Sequence, residues 1–159
     1  MAKREAGHDA RIDTLTGLPG ARAWSEAVEA ERVRRARYRR PVAFIIVEMG
    51  GLPTGSRHET TRGELIMGVA GLLRRNIRDV DLVARIADER FGVMLPETSP
   101  VALDAVVSRI RAAADEWRAR APELELTLSI GRAATGPFDD VREALRSADD
   151  NLHLVRRGA

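Results

Sequence analysis

The stretch Arg78-Asp-Val-Asp-Leu-Val-Ala-Arg-Ile-Ala-Asp-Glu-Arg-Phe-Gly-Val-Met-Leu-Pro-Glu-Thr98 decides how the chain is read. Leu82 to Ile86 and Phe91 to Leu95 each have the make-up of a short apolar strand, and Ala87-Asp88-Glu89-Arg90 forms a tight polar turn between them. The expectation is a β-hairpin with a charged tip. Such a tip fits a solvated turn and a chemical site equally well, and the local pattern does not choose between them.

Outward from the hairpin, hydrophobic periodicity supplies the remaining elements. Upstream, Leu65, Ile66, Val69, Leu72 and Leu73 have helical spacing and predict a helix over Gly63 to Ile77. Before it, Gly50 to Arg62 is rich in Gly, Thr and Ser and reads as a loop, while Val42 to Val47 is a continuous apolar strand that ends at Glu48. Trp24, Ala27, Val28, Glu31 and Arg35 mark one face of a helix from Ala21 to about Arg39, which Pro41 ends. Residues Met1 to Arg11 lack periodicity and read as a lead-in, leaving 12–159 as one domain. Downstream, Ser99-Pro100 has the residues of a helix start, and Leu103, Val106, Val107 and Ile110 continue that helix. Leu124 to Ile130 alternates as a half-buried strand, and Val141 to about Arg157 is a final helix. Helix, strand, helix, hairpin, helix, strand, helix is an α+β order.

Several of these segments carry a family resemblance. Arg85-Ile-Ala-Asp-Glu-Arg-Phe-Gly-Val-Met-Leu-Pro-Glu-Thr98 resembles the signature hairpin of GGDEF domains, the diguanylate cyclase family, usually R-x-G-G-D-E-F-x-x-L-L-P-x-T. Asp13-Thr-Leu-Thr-Gly-Leu18 resembles the family's opening segment, Thr127-Leu-Ser-Ile-Gly131 its T-x-S-I-G strand, and Ala148-Asp-Asp-Asn-Leu-His-Leu-Val-Arg156 its late A-D-x-A-L-Y-x-A-K run. The resemblance implies a palm-like fold akin to nucleotidyl cyclases, with a central, mostly antiparallel, five-stranded sheet flanked by helices. It also places the five signature positions at Ala87, Asp88, Glu89, Arg90 and Phe91, of which only Phe91 is unchanged.

For the chemistry, the resemblance implies two metal-binding carboxylates at Glu48 and Glu89, a guanine-binding acid at Glu64 and a late phosphate-binding cation at Arg156. Against that set, Ala87 and Asp88 replace glycines that let a nucleotide approach the backbone. Arg90 inverts the charge of the fourth position, and Glu48-Met49-Gly50-Gly51-Leu52-Pro53 lacks the second acid and the lysine of the usual first-strand motif. A vestigial Mg²⁺ site at Glu48 and Glu89 is what remains, and no cofactor is required. Arg78 and Asp81, by contrast, match the family's R-x-x-D inhibitory site for cyclic di-GMP, and Arg109 matches a further arginine that grips the same ligand. Arg78 presents a planar donor fork and Asp81 a paired acceptor, a set that reads guanine. The bland alternative is a surface salt bridge between the two.

The expected function is a catalytically inactive GGDEF domain that receives cyclic di-GMP, forms a homodimer with or without ligand and engages a protein partner. The alternatives are a dimerisation or interaction domain without ligand, and a residual cyclase or GTP-binding domain. Composition narrows the field. The chain has 159 residues, 44% of them hydrophobic and 31% charged, within the range of a globular domain. It has no cysteine, which rules out disulfides and thiolate metal sites. No apolar run is long enough to cross a membrane and no secretory signal is visible, so a cytoplasmic, membrane-free protein is expected. Arg32, Arg34, Arg35, Arg37, Arg39 and Arg40 crowd one helix, yet the net charge is only +2. No zinc-finger spacing or RNA-binding aromatic motif accompanies them, so a solvated helix face is expected and not a nucleic-acid interface.

Overall fold

The computed structural model describes residues 11–122, 125–136 and 140–158. Its elements follow the expected order: α1 (Ala21–Tyr38), β1 (Val42–Gly50), a single 3-10 turn (Ser56–His58), α2 (Glu59–Arg75), β2 (Leu82–Ala87), β3 (Arg90–Pro96), α3 (Pro100–Ala119), β4 (Thr127–Ala134) and α4 (Val141–Gly158). The sheet is antiparallel with strand order β2-β3-β1-β4. Among the described residues it has four strands where five were expected.

β1 is the axis of the molecule, and its sequence shows why. Val42 to Val47 are all buried, because both faces of the sheet are covered. Ala43, Ile45 and Val47 point to one side, where Leu65, Ile66, Val69 and Leu73 of α2 meet Leu103, Val107 and Ile110 of α3. Val42, Phe44 and Ile46 point to the other, against Trp24 and Val28 of α1 and Val141, Ala144, Ala148 and Leu152 of α4. The side-chain period of two therefore deals one apolar run into two cores. The Trp24 and Phe44 rings meet edge to face with centroids 6.1 Å apart.

The element bounds depart from the sequence expectations where backbone pairing overrides local composition. β1 continues past Glu48 to Gly50 because β4 pairs with it as far as Gly50↔Thr127. β4 itself runs from Thr127 to Ala134, later than expected, and Leu124 lies outside the described residues, as do residues 1–10 of the expected lead-in. α2 begins at Glu59, one turn before Gly63, with an acidic residue in its first turn to complement the helix dipole. That extra turn brings Arg62 onto the helix. Ser99 caps α3 as expected, its hydroxyl accepting from the Ala102 N–H at 3.2 Å.

One glycine sets the spacing of the α4 layer. A Cβ at Gly131 would lie 2.1 Å from the Ala148 carbonyl oxygen, so only glycine lets α4 settle this close on β4. The next residue of the helix, Asp149, is thereby brought within reach of Arg90 on β3.

Candidate functional site

Two clusters of charge flank β2 and β3. The first is the hairpin tip. The turn is tighter than expected: β2 runs to Ala87 and β3 starts at Arg90, so Asp88 and Glu89 alone form the tip. A register shift between Arg85 and Ala87 bulges β2 just before it. Glu48 and Arg90 are direct cross-strand partners. Arg90 uses one terminal nitrogen on Glu48 at 3.0 Å and the other on Asp149 of α4 at 2.9 Å. The Glu89 carbonyl accepts from the Met49 N–H at 2.8 Å, which brings the tip beside Glu48. The two carboxylates nevertheless take different partners, Glu89 pairing with Arg62 at 2.9 Å. Arg62 also pairs with Asp88. Burial works against the charge on Arg62, and Glu89 and Asp88 outweigh it, holding the guanidinium above its usual range.

Behind the tip, Arg85 and Asp13 form a buried pair at 3.0 Å, each side chain 6% exposed. Arg85 further donates to the Asp88 carbonyl from Nε at 3.1 Å and from Nη2 at 2.8 Å. Asp13 accepts from the Thr16 N–H at 2.9 Å and the Thr16 hydroxyl at 2.6 Å. The opening loop thus packs on β2, where the Arg85 N–H donates to the Pro19 carbonyl at 2.9 Å.

The second cluster is the turn between α2 and β2. The Asp81 N–H donates to the Arg78 carbonyl at 3.0 Å, while the Arg78 N–H donates to Asp81 Oδ2 at 2.8 Å. The Arg78 guanidinium then lies along the same carboxylate, Nε to Oδ2 at 3.1 Å and Nη2 to Oδ1 at 2.8 Å. Nη2 also faces the Pro96 carbonyl at 2.9 Å and the Thr98 hydroxyl at 3.0 Å. Those contacts to Asp81 push the Arg78 guanidinium above its usual range. The Asp81 side chain is 1% exposed and that of Arg78 53%, so the carboxylate lies beneath the arginine and not at the surface as a bare turn would have it. Arg109 of α3 donates to the Asn76 carbonyl from Nε at 3.2 Å and from Nη2 at 2.7 Å. Residues far apart in sequence, Arg78 with Asp81 and Arg109, are therefore gathered at one turn.

A family model described as "Diguanylate cyclase, GGDEF domain" matches residues 10–158. The chain belongs to the GGDEF family. Among curated relatives, this GGDEF domain is 30% identical over 152 residues to diguanylate cyclase DgcP of Pseudomonas aeruginosa, covering 93% of this chain and 23% of that protein. It spans 34% of diguanylate cyclase DosC of Escherichia coli, so it matches only part of each relative. Its fold is that of the GGDEF domain of DgcB from Caulobacter crescentus in complex with c-di-GMP, with a TM-score of 0.81 at 20% identity over 95% of this chain and 92% of that one. Diguanylate cyclase SiaD of Pseudomonas aeruginosa, in complex with its activator SiaC, gives 0.80 at 20% identity, covering 99% and 62%.

Of the remaining expected site residues, Glu64 is exposed on α2, two residues after Arg62. Arg156 lies on α4, with its side chain outside the described residues. Asp13, Arg62, Arg85 and Asp149 escaped the sequence reading as participants. The one signal was for Asp149: an arginine at position 90 among acids calls for carboxylates on the facing elements.

Proposed function

We propose that this GGDEF domain is catalytically silent and serves as a receptor for cyclic di-GMP at Arg78, Asp81 and Arg109. The observation that carries the reading is that Arg109 seats its fork on the Asn76 carbonyl, two residues from Arg78, so that two guanidiniums and a carboxylate share one turn. Guanine presents O6 and N7 as acceptors and N1–H and N2–H as donors. The arginine forks suit the first edge or a phosphate, and Asp81 suits the second. Because Arg78 covers Asp81, the carboxylate becomes free for a guanine once its bonds from Arg78 Nε and Nη2 are given up. Among the described residues no contact falls on Arg78 Nη1, which leaves that side of the fork to a ligand.

Silence at the hairpin follows from charge. Glu48 and Glu89 each hold an arginine, and Arg90 spans Glu48 and Asp149 in the manner of a counter-cation. No group of three or more His, Asp or Glu suited to a metal occurs among the described residues. This donor set does not fit a resident Mg²⁺. Asp88 adds negative charge where a polyphosphate would lie. Restoring Gly-Gly-Asp-Glu at positions 87–90 therefore leaves the protein inactive, since the first-strand loop is altered too.

Ligand-linked pairing of two domains is the mechanism that best uses such a site, with a protein partner reading the pair. Among the structural neighbours, SiaD is in complex with a protein activator. A second reading, an interaction domain without ligand, rests on the fact that Asp81 is already satisfied by Arg78. Calorimetry with cyclic di-GMP and GTP side by side separates them. The receptor gives heat with cyclic di-GMP and no preference for GTP; absence of heat and of any sedimentation change leaves the interaction domain. Cyclic product formed from GTP with Mg²⁺ or Mn²⁺, above a Glu89→Ala control, overturns the silent reading.

A further inference from the structure

Building on the receptor reading, we infer that Thr98 is the positioning residue of Arg78, retaining its guanidinium when Asp81 turns to the ligand. The case is one of hydrogen-bond stoichiometry. Arg78 Nη2 carries two hydrogens. It faces three oxygens: Asp81 Oδ1 at 2.8 Å, the Pro96 carbonyl at 2.9 Å and the Thr98 hydroxyl at 3.0 Å. One acceptor is therefore surplus while Asp81 is bound to the arginine. When the carboxylate is taken over by guanine, two neutral acceptors remain for two hydrogens. Arg78 then stays anchored through Nη2 and aims its Nη1 side outward.

Thr98 is built for that task. It is 3% exposed, its N–H donates to the Pro41 carbonyl at 3.1 Å, and its hydroxyl donates to the Pro96 carbonyl at 3.0 Å. With its own proton committed to Pro96, the hydroxyl offers only lone pairs to Arg78. Between the two acceptors, Glu97 holds a left-handed backbone with φ 51°, a conformation that a side-chain-bearing residue adopts only under constraint. The kink turns the Pro96 carbonyl and the Thr98 hydroxyl toward the same nitrogen. Glu97 is itself tied down by a salt bridge to Arg40.

The test compares wild type, Thr98→Val and Thr98→Ser in calorimetry with cyclic di-GMP, with thermal unfolding to verify the fold. Thr98→Val keeps the shape and removes the acceptor; the expected result is binding weakened about five- to tenfold. Thr98→Ser restores the oxygen and returns affinity to within about twofold of wild type. The ¹⁵N resonance of Arg78 Nε–H, assigned by its loss in Arg78→Ala, supplies a second reading, taken with and without cyclic di-GMP. Without ligand it is expected to be resolved in all three proteins, because Asp81 and the Pro96 carbonyl satisfy Nη2; with ligand it stays resolved in wild type and in the serine variant and broadens in the valine variant. Wild-type affinity in Thr98→Val, failure of a folded serine variant to rescue, or a ligand-bound Nε–H signal in Thr98→Val that matches wild type overturns the inference. Absence of binding by the wild type defeats the receptor reading and the inference with it, whereas wild-type binding that Thr98→Val leaves unchanged defeats the inference alone.

Discussion

The hairpin tip and the turn before β2 both bring arginines against carboxylates, but they differ in how far along the chain the partners come from. At the tip the pairs are Asp13 with Arg85, Arg62 with Glu89, and Arg90 with Asp149, joining the opening loop, α2 and α4 to one hairpin. Arg85 adds a local partner, Asp88 three residues on at 3.0 Å, but its own guanidinium is buried and fixed by Asp13 of the opening loop. At the turn, Arg78 and Asp81 are three residues apart and leave half of the arginine in water. A long-range pair holds elements together and has nothing to spare for a ligand. A short-range pair with one exposed member can exchange its partner without loosening the fold.

The sharpest way to break this comparison is to remove Arg85. Its partner Asp13 is buried, so Arg85→Ala leaves an uncompensated charge and should cost about 3–5 kcal/mol. Urea unfolding measures it, and a loss below about 1 kcal/mol would show that the tip is not held by its ion pairs. Next comes Arg78→Ala, with an expected affinity loss for cyclic di-GMP of about ten- to a hundredfold. The same change uncovers Asp81, which keeps the Arg78 N–H as a donor, so a stability loss of about 1 kcal/mol accompanies it. Asp81→Asn should also impair binding, because it keeps the size but sets a donor against guanine's donors. Binding unchanged in both variants would make the turn purely structural.

A smaller effect is expected from Arg90→Met. Glu48 and Asp149 are partly exposed, and losing their bridge should lower stability by about 0.5–1 kcal/mol. Adding Mg²⁺ should leave the melting temperature of the wild type where it was; a rise would mean that a cation binds despite Arg90. The smallest effect concerns Glu29, whose carboxyl is lowered to about 2 by hydrogen bonds from Arg32 and then Arg142. A depressed carboxylate contributes stability above its unfolded value and loses it as pH falls through the folded one. The contribution should fade between about pH 4.5 and 2, as a slight convergence of wild type and Glu29→Gln in thermal melts.

The fold was legible wherever one periodicity held without competition. Trp24, Val28, Glu31 and Arg35, spaced as one helical face, are the buried residues of α1. The run from Val42 to Val47 announced a doubly covered strand. Legibility failed at residues whose role is given by a distant partner. Arg62 was placed in a loop by the Gly and Thr around it, yet it lies on α2 and reaches the hairpin. Asp149 stood inside the Ala148–Arg156 run, but nothing in that run names Arg90 as its partner; the pair depends on the contact of α4 with Gly131. The bland alternative set Arg78 and Asp81 in a surface salt bridge, and nothing local tells that Arg78 will lie over a buried carboxylate. Ion pairs between elements follow topology, which single-chain patterning does not encode.

The placement of β1 also bears on how the chain is made. β1 is the second element to be synthesised, yet its partners are β3 and β4, and β4 begins only at Thr127. Until Thr127–Ala134 leaves the ribosome, the apolar strand Val42–Gly50 has one bare edge, the kind of template on which nascent chains stick to one another. A ribosome stalled before β3 would leave both edges of β1 bare, one stalled between β3 and β4 would still leave one, and a holdase chaperone would find its longest-lived target in β1.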